Sequence, residues 1–249
     1  MKDENFNPKK TVYQDMLTVE ETHWWYVSLR DLLKYWIQNI QVNNVLDAGC
    51  GTGRNLLFFK ELGLEINGFD YSNEALNLCK ARNLNKVKQG SILKIPFEND
   101  SFELITCLDV LSTIPESKLD RAISEFNRVL HKDRYLILNE AAIPWAVSKH
   151  FSDWDLKQRF YLANLEKSLK ENGFQIIKGT YRVSILFPPI LIIRILDNIS
   201  KNKNYVPDVH KTNKILNSVF YLIMRLENFM LKFINFPIGN SVFIVAKKN

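Results

Sequence analysis

The stretch "VLDAGCGTGRNL", residues 45–56, decides the fold of this chain. An apolar strand pattern containing Asp47 runs into three alternate glycines, Gly49, Gly51 and Gly53, and a helical pattern follows. Because glycine has no Cβ, such a turn lets a ligand approach the backbone closely. The stretch therefore predicts a strand, a ligand-binding turn and a helix, and the flanking sequence indicates which ligand binds.

The sequence after residue 44 alternates short apolar runs with longer helical patterns. Runs rich in β-branched residues predict strands, and such alternation is typical of a parallel sheet covered by helices on both faces. We expect an α/β fold with a Rossmann-like, seven-stranded, mostly parallel sheet whose last strand is antiparallel. Helices are predicted near 54–62, 73–83 and 117–130, and strands at "NVLDAG", "LEINGFD", "KVKQG", "FELITCL", "RYLILNE", "GFQIIKGTYRV" and "SVFIVAKK".

The chain has the length and composition of one folded domain, with 249 residues of which 46% are hydrophobic and 24% charged. Two segments lie outside the alternation of strands and helices. Residues 1–43 predict an N-terminal helical cap, and residues 184–236 predict a helical insertion or lid. The core of the domain is then expected to comprise residues 44–183 and 237–249.

Several classes of protein are disfavoured by composition. The net charge of +6 is mild and selects neither nucleic acid nor a membrane. Cys50, Cys79 and Cys107 lack the Cys-x-x-Cys spacing of zinc or redox sites, so we expect reduced thiols and no metal. The N-terminus shows no secretory signal, and the apolar tract around Pro188 and Pro189 is too short to span a membrane. We expect a cytoplasmic protein.

The spacing of the glycines separates two nucleotide-binding patterns. A dinucleotide site requires Gly-x-Gly-x-x-Gly, but the residue three positions after Gly51 is Arg54. The pattern found here, a strand with an acid followed by three alternate glycines, instead resembles the glycine motif of the class I S-adenosylmethionine-dependent methyltransferases. The resemblance implies S-adenosyl-L-methionine as the cofactor, with Asp47 orienting its α-ammonium group directly or through water. A tight turn without a ligand is the alternative interpretation.

Further cofactor residues follow along the chain. Asp70 ends the next predicted strand, where an acid accepts hydrogen bonds from both ribose hydroxyls in adenosine-binding folds. The resemblance places Tyr71 against the adenine; Ser91, at a position where the family usually has Asp, and Ile92 are expected to contact the same ring. The predicted cofactor-binding residues are Asp47, Gly49, Cys50, Gly51, Gly53, Asn55, Asp70, Tyr71, Ser91, Ile92, Leu108 and Asp109.

A second resemblance extends over nearly the whole chain. "HWWYVSLR", "AAIPWAVSKHFSDWDLKQRFY", "ILFPP", "RLENF" and "FPIGNSVFIVAKK" occur in the same order as in a subgroup of type 11-like methyltransferases from bacteria and archaea. His150 and Glu140 are the candidate catalytic bases, because their pKa values can be tuned toward neutrality. The residues expected around the acceptor are His23, Trp24, Trp25, Trp145, Arg159 and Tyr161. The alternative interpretation is that these residues pack in the core or are charges at the surface.

The function expected is therefore that of an enzyme, a methyltransferase acting on an O, N or C nucleophile of a small-molecule or lipid-like acceptor. The alternatives are RNA methylation, disfavoured by scattered basic residues, and cofactor binding without catalysis; no DNA binding is expected. The second helix of the insertion places Ile215, Val219, Leu222, Leu226, Phe229 and Phe233 on one face. We expect this face to bury against the sheet, and peripheral contact with the inner face of a membrane is the alternative.

Overall fold

A computed structural model describes residues 11–142, 157–192 and 213–249 of the chain. The helices are α1 (Thr11–Val19), α2 (Trp24–Ile40), α3 (Arg54–Glu61), α4 (Asn73–Ala81), α5 (Leu119–Val129), α6 (Leu162–Glu171) and α7 (Lys214–Met230). The strands are β1 (Asn44–Ala48), β2 (Glu65–Asp70), β3 (Val87–Gln89), β4 (Phe102–Leu108), β5 (Leu130–Ala141), β6 (Phe174–Arg182) and β7 (Ser241–Lys248).

The seven strands form one sheet in the order β3-β2-β1-β4-β5-β7-β6. The first five strands along the chain run parallel to one another, and β7 lies antiparallel between β5 and β6. This confirms the predicted Rossmann-like sheet with an antiparallel last strand. Because β1, β2 and β4 are adjacent and parallel, their carboxyl ends meet at one edge of the sheet, where ligands of such folds bind.

The predicted helices form because local sequence and packing agree. The helix α3 starts directly after Gly53, and α4 is capped by Ser72, whose hydroxyl accepts a hydrogen bond from the Ala75 amide. The helix α5 buries one apolar face, which consists of Leu119, Ala122, Ile123, Phe126 and Val129. The core lies on both faces of the sheet, since successive residues of a strand point to opposite sides.

The N-terminal segment contains a helix that the sequence did not predict by itself. The helix α1 is short, and its buried Val12, Tyr13 and Val19 pack inward. The next helix, α2, begins after His23, whose Nδ1 accepts a hydrogen bond from the Trp25 amide at 3.3 Å. His23 therefore acts as an N-cap, a role usually filled by Ser, Thr, Asp or Asn.

The expected burial of the second insertion helix is wrong. On α7 the buried positions are Met224, Glu227 and Asn228, whereas the predicted apolar face points outward. Polar side chains of α7 hydrogen-bond to α2 and to the residues after β6, and this pairing fixes the orientation of the helix. Within the described parts of the chain, no helix is both long and apolar enough to cross a bilayer.

Candidate functional site

A cavity of about 650 Å³ opens at the carboxyl ends of β1, β2 and β4 and is bounded on another side by α1 and α2. This volume lies within the range of small-molecule sites. It is lined by residues 49–52 of the glycine turn. Ten of the twelve residues that the sequence predicted for cofactor binding line it: Gly49, Cys50, Gly51, Asn55, Asp70, Tyr71, Ser91, Ile92, Leu108 and Asp109.

The glycine turn is held against β2 by backbone hydrogen bonds. The amides of Gly49 and Cys50 both donate to the Phe69 carbonyl at 2.9 Å. Gly49 and Gly51 have φ angles of +80° and +53°, which favour glycine. A Cβ on Gly49 would lie 2.5 Å from Val110 Cγ2, whereas a Cβ on Gly51 would meet nothing nearer than Met16 Cε at 4.0 Å. The space that a side chain at position 51 would fill is therefore part of the cavity.

Gly53 has a different role from the one predicted. It does not line the cavity, and a Cβ at this position would lie 2.5 Å from Leu84 Cδ1 and 2.9 Å from Cys79 Sγ. Its φ angle of +81° also favours glycine. This glycine is therefore required for close packing of the turn on α4 rather than for contact with a ligand.

Asp70 connects the glycine turn to the start of α4. Its Oδ2 accepts a hydrogen bond from the Gly51 amide at 2.9 Å, and its Oδ1 accepts one from the Ser72 amide at 2.8 Å. The Tyr71 amide also hydrogen-bonds to this carboxyl, and because a carboxylate offers about four acceptor positions, it can still accept from a ligand. Burial raises the pKa of Asp70, and the backbone amides oppose this rise. The carboxyl is therefore positioned for a ligand with paired hydroxyls.

Asp47 lies behind the cavity rather than in it. The side chain is buried within the sheet, and Oδ1 accepts a hydrogen bond from Thr106 Oγ1 at 2.7 Å. The predicted direct contact of Asp47 with the α-ammonium group is not supported, because Asp47 is not among the residues that line the cavity, and the contact through water stays a prediction. Burial raises the pKa of Asp47 from its ordinary value of 3.8 to about 7.

Replacing Asp47 with Asn should remove part of the pH dependence of stability. Between pH 4 and 7 the folded chain holds a proton on Asp47 that the unfolded chain releases, so the free energy of unfolding falls as the pH rises. The slope from this one group approaches about 1.4 kcal/mol per pH unit. The Asn oxygen still accepts from Thr106, so urea unfolding at several pH values should show a smaller slope in the variant. Equal slopes in both proteins would contradict the assignment.

The N-terminal helices close the cavity over the glycine turn. Glu20, which follows α1, is buried; its Oε2 accepts a hydrogen bond from Thr52 Oγ1 at 2.5 Å, and its Oε1 pairs with Arg82 Nη2 at the end of α4. Arg30 of α2 donates to the Glu20 carbonyl at 2.7 Å. No local pattern in the sequence pairs residue 20 with residues 52 and 82, so these contacts were not predictable. Nor did the sequence predict that Tyr13, Met16 and Tyr26 line the cavity.

The candidate acceptor residues fall into three groups. His23, Trp24, Trp25 and Arg159 line the same cavity as the cofactor candidates. Tyr161 does not; it is 43% exposed and precedes α6 at the surface, so its predicted role at the acceptor site is not supported. Trp145 and the candidate base His150 lie outside the described residues.

Glu140 has a structural position that argues against its predicted role as a base. Its side chain is fully buried and accepts hydrogen bonds from the amides of Val110, Leu111 and Ser112 at 3.0, 2.8 and 3.1 Å. Burial and the nearby Asp109 raise the pKa of Glu140. Because both oxygens are engaged by backbone and neither faces the cavity, Glu140 shapes the turn after β4 instead of contacting a substrate.

Asp109 was predicted to line the cofactor, and it lines the cavity. It directly precedes the turn whose amides Glu140 binds. It has a φ angle of +60°, and its Oδ2 accepts a hydrogen bond from Asn139 Nδ2 at 3.1 Å. Burial raises the pKa of Asp109, while Asn139 and the buried guanidinium of Arg182 oppose the rise. Asp109 thus lies at the wall of the cavity with a pKa raised toward neutrality.

Within the described residues, no group of three or more His, Cys, Asp or Glu side chains could hold a metal ion. The donor set of the cavity instead fits S-adenosylmethionine. The turn at Gly51 leaves room for a ligand beside the backbone, Asp70 offers carboxylate oxygens to ribose hydroxyls, and Tyr71 and Ile92 offer surfaces for a ring.

Known proteins with similar sequences support the same conclusion. The family model of a methyltransferase domain matches residues 46–138. A protein of Encephalitozoon cuniculi named "Putative methyltransferase" is 30% identical over 182 residues, which are 65% of this chain and 83% of that protein. A demethylmenaquinone methyltransferase of Renibacterium salmoninarum is 28% identical over 138 residues, 55% of this chain and 56% of the relative.

The fold also matches a solved structure. A SAM-dependent methyltransferase from Archaeoglobus fulgidus aligns with a TM-score of 0.62 over 94% of this chain and 99% of that chain, at 17% identity. The glycine turn and Asp70 lie within the residues that the family model matches, and they line the cavity at the carboxyl edge of the sheet. The chain therefore belongs to the class I S-adenosylmethionine-dependent methyltransferases.

Proposed function

We propose that this chain transfers a methyl group to an O, N or C nucleophile of a small-molecule or lipid-like acceptor. The observation that carries the proposal is that one cavity joins the cofactor residues around Gly51 and Asp70 to an aromatic wall from α2. That wall consists of Trp24, Trp25 and Tyr26. A shared cavity is required because donor and acceptor must meet in line for methyl transfer.

One group of cavity residues would bind the cofactor, and another would take part in the reaction. When bound, S-adenosylmethionine supplies an electrophilic methyl group on a sulfonium. The glycine turn and Asp70 would hold the nucleoside part, and Tyr71, Ser91 and Ile92 would bound the adenine. Holding the two reactants in line supplies a large part of the rate in a reaction of this kind.

Asp109 would accept the proton that the acceptor loses. Its carboxyl lines the cavity, is oriented by Asn139, and has a pKa raised by burial. A base whose pKa lies near the operating pH is an efficient proton acceptor. This role replaces the one that the sequence analysis gave to Glu140.

The wall opposite the glycine turn favours an acceptor with a sizeable apolar part. Besides the aromatic residues of α2, it includes Leu29 and Ile190. The polar groups nearby, His23, Arg30 and Arg159, are few relative to this apolar area and would orient one end of the acceptor. The similarity to a demethylmenaquinone methyltransferase supports the same acceptor class.

Incubation with methyl-labelled S-adenosylmethionine tests the proposal. The full chain would be given separate extracts of lipids, polar metabolites and RNA, and the Gly51→Val variant would serve as the inactive control. We expect label in the lipid or small-molecule extract with the natural chain only. Label in RNA alone would favour the RNA alternative, and cofactor binding without label transfer to any extract would favour a non-catalytic protein.

A further inference from the structure

The exposed face of α7 is unusually apolar for a surface helix. Its side chains recur every three or four residues, and each is between 45% and 76% exposed. A continuous exposed apolar surface of this kind marks an interaction site in a folded protein. We define the apolar stripe as Ile215, Val219, Leu222, Leu226, Phe229 and Phe233.

The opposite face of α7 is already occupied, so the helix cannot rotate to bury the stripe without losing hydrogen bonds. Asn217 accepts from the Trp24 amide at 2.9 Å and donates to the Thr22 carbonyl at 2.9 Å. Asn228 donates to the Ser28 carbonyl at 2.7 Å. The fully buried Glu227 accepts from the three amides of residues 183–185 at 2.6, 2.7 and 2.9 Å. The outward direction of the stripe is therefore built into the fold.

The exposed charges carried by α7 and the turn after it are basic, and Asp31 of α2, which accepts a hydrogen bond from the Tyr221 hydroxyl, is an acid of the neighbouring helix. Between residues 213 and 234, Lys214, Arg225 and Lys232 are exposed, whereas the one acid in that range, Glu227, is buried and occupied by backbone amides. Long basic side chains can extend from an apolar surface toward anionic groups while their stems stay in apolar contact. Pairing this surface with its own copy would set like charges together, which disfavours a second copy of the chain.

The inward side of α7, away from the stripe, borders the cavity through Phe220. Trp24 lines the cavity and packs edge-on against Phe220 of α7, with ring centroids 5.6 Å apart. Ile190 lines the cavity as well and packs in the same apolar cluster as Phe220. Ile192, two residues further on, is 58% exposed. Docking through α7 would thus place the wall proposed for the acceptor close to the docked surface, because Phe220 of α7 packs directly on Trp24 of that wall.

We propose that α7 lies in the plane of an anionic lipid bilayer, with the apolar stripe among the acyl chains and Lys214, Arg225 and Lys232 at the lipid headgroups. A helix with one apolar face and a basic rim is suited to this position. The proposal concerns where the chain docks and stands independently of the acceptor, because vesicle binding can be measured without methyl transfer.

Flotation with lipid vesicles tests this docking. The full chain would be mixed with vesicles of phosphatidylcholine alone or of phosphatidylcholine with phosphatidylglycerol. We expect at least tenfold more protein to float with the anionic vesicles, and we expect 0.5 M salt to reduce that fraction. The variant Lys214→Gln, Arg225→Gln, Lys232→Gln should lose the preference for anionic lipid.

A second variant, Leu222→Ser, Leu226→Ser, Phe229→Ser, should lower flotation at least tenfold and leave the thermal unfolding temperature unchanged or higher, because these side chains are exposed. Ile177→Ser, which removes an exposed apolar side chain from β6, is the control and should float like the natural chain. Equal flotation of the stripe variant, or no flotation of the natural chain with anionic vesicles, would overturn the proposal. If the natural chain sediments as a dimer and the stripe variant as a monomer, the stripe is instead an interface with a second copy of the chain.

Discussion

Replacing Asp70 with Ala should weaken S-adenosylmethionine binding by at least about 100-fold, since hydrogen bonds to a charged group contribute about 1.5–3 kcal/mol each and two are lost. In the structure the Asp70 carboxyl lines the cavity and also fixes the amides of Gly51 and Ser72. The substitution therefore removes both the acceptor for the ribose and part of the frame of the glycine turn. Isothermal titration calorimetry measures the change directly.

Two further variants make this result specific. Asp70→Asn keeps one oxygen for the backbone amides but offers an NH₂ group where the second oxygen was, so its affinity should fall between those of the natural chain and the Ala variant. Asp100→Ala removes an exposed acid that pairs with Lys248, away from the cavity, and should bind the cofactor normally. Unchanged affinity in both Asp70 variants would disprove the ribose role and with it the proposed position of the cofactor.

Replacing Asp109 with Asn should lower the turnover number about 100-fold, at the lower end of the range for loss of a general base. The change is nearly isosteric, so cofactor affinity should stay within about threefold of the natural value, which corresponds to about 0.7 kcal/mol. In the natural chain the rate should rise as the pH increases through the raised pKa of Asp109, because the carboxyl must be ionised to accept a proton. This rise of the rate with pH should be absent in the variant.

Asp133→Asn is the matched control for this experiment. Asp133 also has a positive φ angle, +61°, but it is exposed and pairs with Lys247 on the surface. Its variant should retain the turnover number and the pH profile. A normal rate in the Asp109 variant would show that the acceptor loses its proton without this carboxyl, and the reaction would then depend on positioning alone.

The strands and the core helices could be predicted from the sequence because local signals agreed with tertiary packing. The glycine turn fixed the junction of β1 and α3, and Ser72 marked the start of α4. The apolar spacing of α5 matched the face that packs on the sheet. When capping, periodicity and burial point the same way, local sequence is enough to locate an element.

Predictions that depended on the direction of a single side chain were less successful. Asp47 and Glu140 were expected to contact ligands, but the fold turns both into its interior, where they hold Thr106 and the turn at residues 110–112. The local sequence around an acid next to a glycine turn is the same whether its side chain faces a ligand or a neighbouring strand. Only the placement of β4 and β5 beside β1 separates the two cases.

The sequence by itself determined the family pattern, the order of strands and helices, and the ligand class of the glycine turn, because these depend on backbone chemistry and on periodicity over a few residues. The tertiary structure alone decided that Glu20 closes the turn through Thr52 and Arg82, that Glu140 is buried against the turn at residues 110–112, and that α7 turns its apolar stripe outward. The physical reason is that hydrogen bonds between residues far apart in sequence fix these orientations. On α7, buried polar bonds outweighed the tendency of an apolar face to bury itself.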